Sequence, residues 1–392
     1  MKSTRIEWID ISKGIAMFLI VSGHCADKGG SDSILLHFSM FGGVALFFLL
    51  SGMTFCWKDE GILGFDERPA AEFFGKLARG LIFPYFIWSF ISILLFTFLG
   101  QTASRTLGTG EVRSEFCSNL LGMLYGNTAS GYMRWNRPLW FLTCLVMVEI
   151  FMYGLLRLLT AFYRQQRISA RGLHILYCIP IALSICWLIW GNIRGIQLCL
   201  PWEFETATCV LSFFEIGRLL RIFGRKVPGE REGLPAWLSG LLSFGCLILL
   251  WILLLNVEEA DFRADIFSNP WGILPCAALG MMGVACLAKS VEGCLRIGRV
   301  FRNLLVYIGE RTLAILVMHK FVITGCKVII SRFTANSLKM PCEQGYILLA
   351  IAVIEDFLMA AATIALCLVL ESLLSLYCPQ LFGKHRKEKR LH

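Results

Sequence analysis

Charge is what this chain has least of: Asp, Glu, Lys and Arg together make up 17% of 392 residues, against 56% hydrophobic side chains and a mean hydropathy of +0.66. An ordinary soluble domain carries about 25% charged residues, and this shortage excludes one. Metal-ligand spacing is missing as well. The sixteen cysteines contain no CxxC pair, and most of them (Cys56, Cys144, Cys178, Cys186, Cys246, Cys276, Cys286 and Cys367 among them) lie inside apolar runs, where cysteine behaves as a small hydrophobe. No metal is expected. The two halves show no internal repeat of the kind that transporters carry, and no small-x-small cleavage site follows the first apolar run cleanly, which is therefore read as retained.

What is present is a succession of apolar runs, at about 9–25, 34–57, 80–99, 138–161, 173–190, 205–223, 234–256, 270–288, 304–326 and 345–377. Each is near the twenty residues that a bilayer requires. The expected fold is all-α, a polytopic membrane bundle of about ten transmembrane helices over residues 1–383, followed by a basic tail, 384–392. The sixth run is the weakest, because Glu215, Arg218 and Arg221 interrupt it.

The net charge of +9 is explained by topology. Every second loop is basic: Lys2 and Arg5, the segment from Lys58 to Arg79, Arg157 to Arg171, Arg218 to Arg231, Lys289 to Arg302, and the tail from Lys384 to Arg390. The alternate loops are neutral or acidic, with Glu203, Glu205, Glu258, Glu259, Asp261 and Asp265. The positive-inside rule then puts both termini in the cytoplasm and the long polar segment 100–137 outside a plasma membrane. The tail reads as a topology signal or a contact with anionic membrane lipid, and no nucleic-acid partner is expected.

Three ionisable residues enter the first run, Asp10, Lys13 and His24. At roughly 100° per residue they fall within about 60° of one another around a helix, which makes one polar stripe. Groups of this kind are costly in a membrane and mark function more often than not. Asp10 and His24 are about 21 Å apart along the axis, so Asp10 does not orient the imidazole. A second membrane histidine, His319, lies about fifteen residues into a run that starts inside and so reaches a depth similar to that of His24. The two suggest one shared site, although each is also compatible with a histidine among lipid headgroups. Glu310–Arg311 stands near the inner start of its run, and Glu355–Asp356 are two adjacent acids in the last one.

Six stretches follow one another along the chain: Arg5, Trp8, Asp10, Lys13, Gly14 and Ser22-Gly23-His24, then GVALFFLLSG (Gly43 to Gly52), KLARGLIFPYFIW (Lys76 to Trp88), PLWFL (Pro138 to Leu142), FFEIGRLLR (Phe213 to Arg221) and YIGERTLAILVMHKF (Tyr307 to Phe321). In these motifs and their order the chain resembles acyltransferase family 3, integral-membrane O-acyltransferases of cell-envelope sugars. The resemblance implies O-acyl transfer, O-acetyl transfer in the expected case, to a carbohydrate or glycolipid acceptor. His24 would be essential, as base or as acyl relay, and His319, placed beside it by depth, is the second catalytic candidate. An acyl-CoA, with acetyl-CoA expected, would be held by Arg5, Asp10, Lys13, Lys76 and Arg79. Lys76 stands where the family has the first arginine of an RxxR pair, and it keeps the charge without the planar fork. Glu149 is displaced from the position of the family's glutamate after the LW motif. On the acceptor side, Trp135, Arg137, Trp140 and Glu149 are the candidates, with Tyr125, Tyr132 and Arg134 nearby. A transporter or flippase of a lipid-linked or anionic small molecule is the competing reading, and a membrane scaffold is the third.

Overall fold

A computed structural model describes residues 6–26, 34–55, 68–107, 116–128, 134–194, 198–224, 234–255, 260–261, 266–267, 270–293, 298–334 and 346–383. Arg5, Tyr132, the side chains of Arg134 and Trp135, and the tail 384–392 lie outside the described residues.

The described chain is a bundle of helices: α1 (Glu7–Ala26), α2 (Ile34–Phe38), α3 (Ala45–Phe55), α4 (Ala70–Leu77), α5 (Phe83–Leu107), α6 (Phe116–Tyr125), α7 (Trp140–Arg164), α8 (Ala170–Leu176), α9 (Ile179–Arg194), α10 (Phe204–Gly224), α11 (Ala236–Leu254), α12 (Pro270–Gly293), α13 (Gly298–Gly309), α14 (Thr312–Thr334) and α15 (Tyr346–Tyr377). The π-helical segments Ser39–Val44 and Ala78–Ile82 join α2 to α3 and α4 to α5, and a 3-10 segment, Arg134–Leu139, leads into α7. Two-residue strands, Ala260–Asp261 and Ile266–Phe267, pair antiparallel between α11 and α12.

Among the described residues nine helices are long and apolar enough to cross a membrane. The way they bury their surfaces fits lipid surroundings. In α11 the buried positions Ser239, Ser243, Cys246, Leu250 and Leu254 recur every three or four residues, while Trp237, Leu241 and Phe244 point outward and are 71%, 60% and 65% exposed. The serines and the cysteine face inward, with Leu250 and Leu254 below them, while large apolar side chains point outward, the reverse of a soluble helix and the pattern of helices that pack in lipid. The chain is a multi-pass membrane protein.

Two of the expected runs take a different form. The run at 304–326 is divided: α13 ends at Gly309 and α14 begins at Thr312, with Glu310 and Arg311 in the break. The sixth run is the 21-residue helix α10, as long as its neighbours but outside the apolar nine. Its charges are handled internally. Glu215 and Arg218 are both fully buried; Arg218 Nε donates to Glu215 Oε2 at 2.7 Å, Nη2 donates to Oε1, and the guanidinium lies 4.3 Å from the Tyr177 ring centroid. A paired and hydrogen-bonded couple of this kind brings no net charge into the bundle.

The contact between α10 and α3 is backbone to backbone. A Cβ at Gly52 would overlap the Phe214 carbonyl, and one at Gly217 would overlap the Leu49 carbonyl. Small residues of this sort let membrane helices approach closely, where dispersion contacts replace the hydrophobic effect. This explains the glycine that ends the GVALFFLLSG stretch and the one inside FFEIGRLLR.

Candidate active site

Within α1 the serines are satisfied by their own helix: Ser12 Oγ donates to Trp8 O and Ser22 Oγ to Phe18 O, both at 2.8 Å. That leaves the ionisable stripe as the polar content of the helix that faces its neighbours. Lys13 and His24 line one cavity of about 290 Å³, so the cavity runs along eleven residues of α1, about 16 Å of rise. Its walls are apolar, with Met17, Ile20, Phe47, Phe141 and Leu316, and Ser39, Ser51 and Thr312 add hydroxyls. Asp10 is buried but does not line the cavity.

At one end His24 meets His319. The ring centroids are 5.1 Å apart and the planes are inclined by 32°, so the two membrane histidines do share a level. Their environments differ. His24 is half-buried and lines the cavity, whereas His319 is fully buried behind it. His319 Nδ1 is 2.9 Å from the Ile315 carbonyl. A carbonyl only accepts, so Nδ1 carries the proton, and the neutral ring keeps its lone pair on Nε2. Nε2 is buried without a hydrogen-bond partner among the described residues.

The segment Arg134–Leu139 closes the same end. Asn136, fully buried, donates its amide hydrogens to Ser92 Oγ at 3.2 Å and to the Val317 carbonyl at 3.0 Å, which ties α5 to α14 two residues before His319. Pro138 and Trp140 line the cavity, and Arg137 is exposed. Tyr125 has a structural bond: its hydroxyl donates to the Cys199 carbonyl at 2.7 Å. It belongs to a network in which the buried Glu203 accepts from Thr128 N at 2.7 Å and from the Thr128 and Thr206 hydroxyls, while Glu205 accepts from Leu198 N at 2.8 Å. Cys199, Trp202 and Glu203 take left-handed φ values of 51°, 57° and 54° to make these contacts.

The other end of the cavity is basic. Gly80 and Leu81, from the π-helical segment Ala78–Ile82, reach its wall, with Lys76 and Arg79 exposed just before them. Arg79 Nε donates to the Gly75 carbonyl at 2.9 Å. Glu149 stands here rather than beside Trp140: Lys76 and Arg68 are the charges that act on its carboxylate. Arg68 is a buried residue that sequence reasoning passed over, with its guanidinium 4.9 Å and 5.2 Å from the Phe55 and Phe73 ring centroids and its carbonyl accepting from the Tyr153 hydroxyl at 2.8 Å. The one local signal for it was position, a single arginine before the proline that starts α4.

At the break before α14, Arg311 bridges Glu310 at 3.3 Å and the buried Glu371 at 3.4 Å, next to the cavity-lining Thr312. Glu310 and Arg311 are therefore joined by a third charge from α15. On α15, Glu355 is exposed and Asp356 half-buried. Among the described residues no three His, Cys, Asp or Glu side chains are placed to hold a metal ion together.

No curated protein and no solved structure matches the chain. The family model of an acyltransferase domain matches residues 6–372, nearly the whole length and every part of the cavity just described. Apolar helices that set His24, with His319 beside it, at one end of a cavity and Lys13 at the other thus belong to a member of acyltransferase family 3, a multi-pass membrane acyltransferase that acts on an acyl donor and an acceptor.

Proposed function

We propose that this protein moves an acyl group, acetyl in the simplest case, from cytoplasmic acyl-CoA to a hydroxyl of an extracytoplasmic glycan or glycolipid, from a position in the plasma membrane with both termini in the cytoplasm. The observation that carries the reading is the single cavity lined by Lys13 at one end and His24 at the other. Arg5, Lys13, Lys76 and Arg79 suit the phosphates of the donor, as charge-assisted contacts from the cytoplasmic side. Glu149, beside Lys76, positions that ammonium, and Asp10 does the same service near Lys13. The slender thioester arm then lies between Met17, Ile20 and Phe141, with its carbonyl carbon at His24.

At that point the acceptor oxygen attacks the thioester carbonyl carbon while the His24 imidazole takes the hydroxyl proton. The tetrahedral intermediate collapses with cleavage of the C–S bond. The thiolate that leaves takes the proton from the imidazolium, so the histidine is restored and an ester and a free thiol are the products. The His319 ring, packed against His24 with the ring centroids 5.1 Å apart, holds the orientation of the imidazole by contact, the task that Asp10 is too distant to perform. Trp135, Arg137 and Trp140 receive the acceptor.

The test is a comparison of envelope glycans by mass from cells with and without the gene, together with label transfer from radioactive acetyl-CoA in isolated membranes. A mass increment of one acyl group, present only with the gene and labile to mild base, is the expected result. Identical glycan masses and no transfer of label would count against the reading.

A further inference from the structure

Hydroxyl groups along these membrane helices commonly turn back onto their own backbone. Ser12, Ser22, Thr54, Thr160 and Thr208 each donate to the carbonyl four residues earlier, and Ser39 to the one three residues earlier. Such a bond avoids the cost of an unpaired polar group away from water. Two cavity-lining hydroxyls depart from the pattern, those of Ser51 and Thr312. Both residues are half-buried, and neither hydroxyl makes a hydrogen bond among the described residues.

Backbone contacts set both at the Lys13 end. Gly309 packs against the Asp10 carbonyl, and Thr312 follows it by three residues. The stretch from Ser39 runs opposite to α1, since Gly23 packs against Ser39, and Gly43 against Ile20 and the Ala16 carbonyl. Ser51 lies eight residues beyond Gly43, so about 12 Å of rise carries it toward Lys13 and away from His24. Met17, Ile20, Phe47 and Leu316 wall the cavity between these hydroxyls and the imidazole. From the basic end the order is cation, hydroxyls, apolar walls, imidazole. The arm of an acyl-CoA has a matching order: phosphates, then secondary amides, then the thioester. An amide drawn into an apolar passage needs a partner, and a hydroxyl both donates and accepts, so it meets an N–H or a C=O alike.

We propose that Ser51 and Thr312 form a subsite for the amide groups of the donor's pantetheine arm. Their hydrogen bonds hold the arm at one depth in the cavity, with its thioester at His24. This inference rests on the acyl-transfer reading above and narrows its donor to thioesters whose arm carries amides.

The experiment uses membranes that contain the full-length protein, and envelope glycan extracted from cells that lack the gene. Two labelled donors are compared: acetyl-CoA, and an acetyl-CoA analogue whose arm has methylenes in place of the amides while its phosphates and thioester are kept. The wild-type protein is expected to use the analogue at least about tenfold less well. The Ser51→Ala and Thr312→Val variants are expected to lower kcat/KM for acetyl-CoA about fivefold each through KM, the size of one neutral hydrogen bond. Neither variant changes whatever transfer the analogue supports, and Thr312→Ser, which keeps the hydroxyl, behaves as wild type with both donors. A variant effect of equal size on the two donors, no effect of either variant on acetyl-CoA, or an analogue as good as acetyl-CoA overturns the amide subsite and leaves acyl transfer standing. Absence of label from acetyl-CoA with the wild-type protein overturns the acyl-transfer reading and the subsite with it.

Discussion

Membranes that carry His24→Ala are expected to transfer label from acetyl-CoA at under about 1% of the wild-type rate, since removing a positioned general base costs about 10²–10⁴-fold. The protein should remain folded. His24 is half-buried at the end of a cavity, and shortening it enlarges that cavity. His319→Ala is expected to be milder in rate and more costly in stability. That ring is fully buried, its Nδ1 is bonded to the Ile315 carbonyl, and it meets the reaction only through His24. The pair of variants separates the two roles: kcat falls in both, and donor KM stays near wild type in both, because the basic residues lie at the other end of the cavity. Label transfer at wild-type rate in His24→Ala would remove the imidazole from the reaction.

Gly217→Leu is expected to abolish the folded protein, and Gly52→Leu to do the same. Each new side chain would begin inside a backbone carbonyl of the facing helix, so relief requires the separation of α3 from α10 rather than a change of rotamer. A cost above about 4–5 kcal/mol belongs to this kind of overpacking. Gly217→Ala is nearly as severe, because the Cβ alone makes the overlap. The check is the yield of monodisperse protein in detergent, with Gly80→Ala as the control, since that Cβ would meet open space. Normal yield from Gly217→Leu would mean that α3 and α10 are not in backbone contact.

Much of the site could be read from residue counting, and the reason is geometric. A helix has a fixed rise, so the positions of His24 and His319 within their runs were enough to place them together. The stripe of Lys13 and His24 on α1 followed from the fixed rotation per residue, and both residues line the cavity. What counting could not reach was contact between distant segments. Nothing in the periodicity around Asn136 shows that its amide bridges α5 and α14, and nothing near Arg68 shows that its guanidinium lies against Phe55 and Phe73. Glu149 lies on the same helix as Trp140, which hid the fact that nine residues, about 13 Å of rise, carry it to the basic end.

The break in the run at 304–326 was hidden for a related reason. Average hydropathy smooths over a single turn, and Glu310 with Arg311 is neutral as a pair, so the division between α13 and α14 left little trace in the average. In α10 the charges weakened the assignment of a span, yet the spacing of Glu215 and Arg218, three residues apart, is that of neighbours on one helix face. Glu203 and Glu205 show the opposite case. They served as markers of an acidic loop, and both are buried acceptors that hold the connection before α10.

The most direct measurement uses sealed vesicles of defined orientation, with labelled acyl-CoA that cannot cross the bilayer supplied on one side and acceptor glycan on the other. Transfer should occur when the donor faces the Lys13 end of the bundle and the acceptor faces the His24 end, and it should vanish in His24→Ala. Transfer that requires donor and acceptor on the same side, or that survives the loss of His24, would contradict the passage of an acyl group along this cavity.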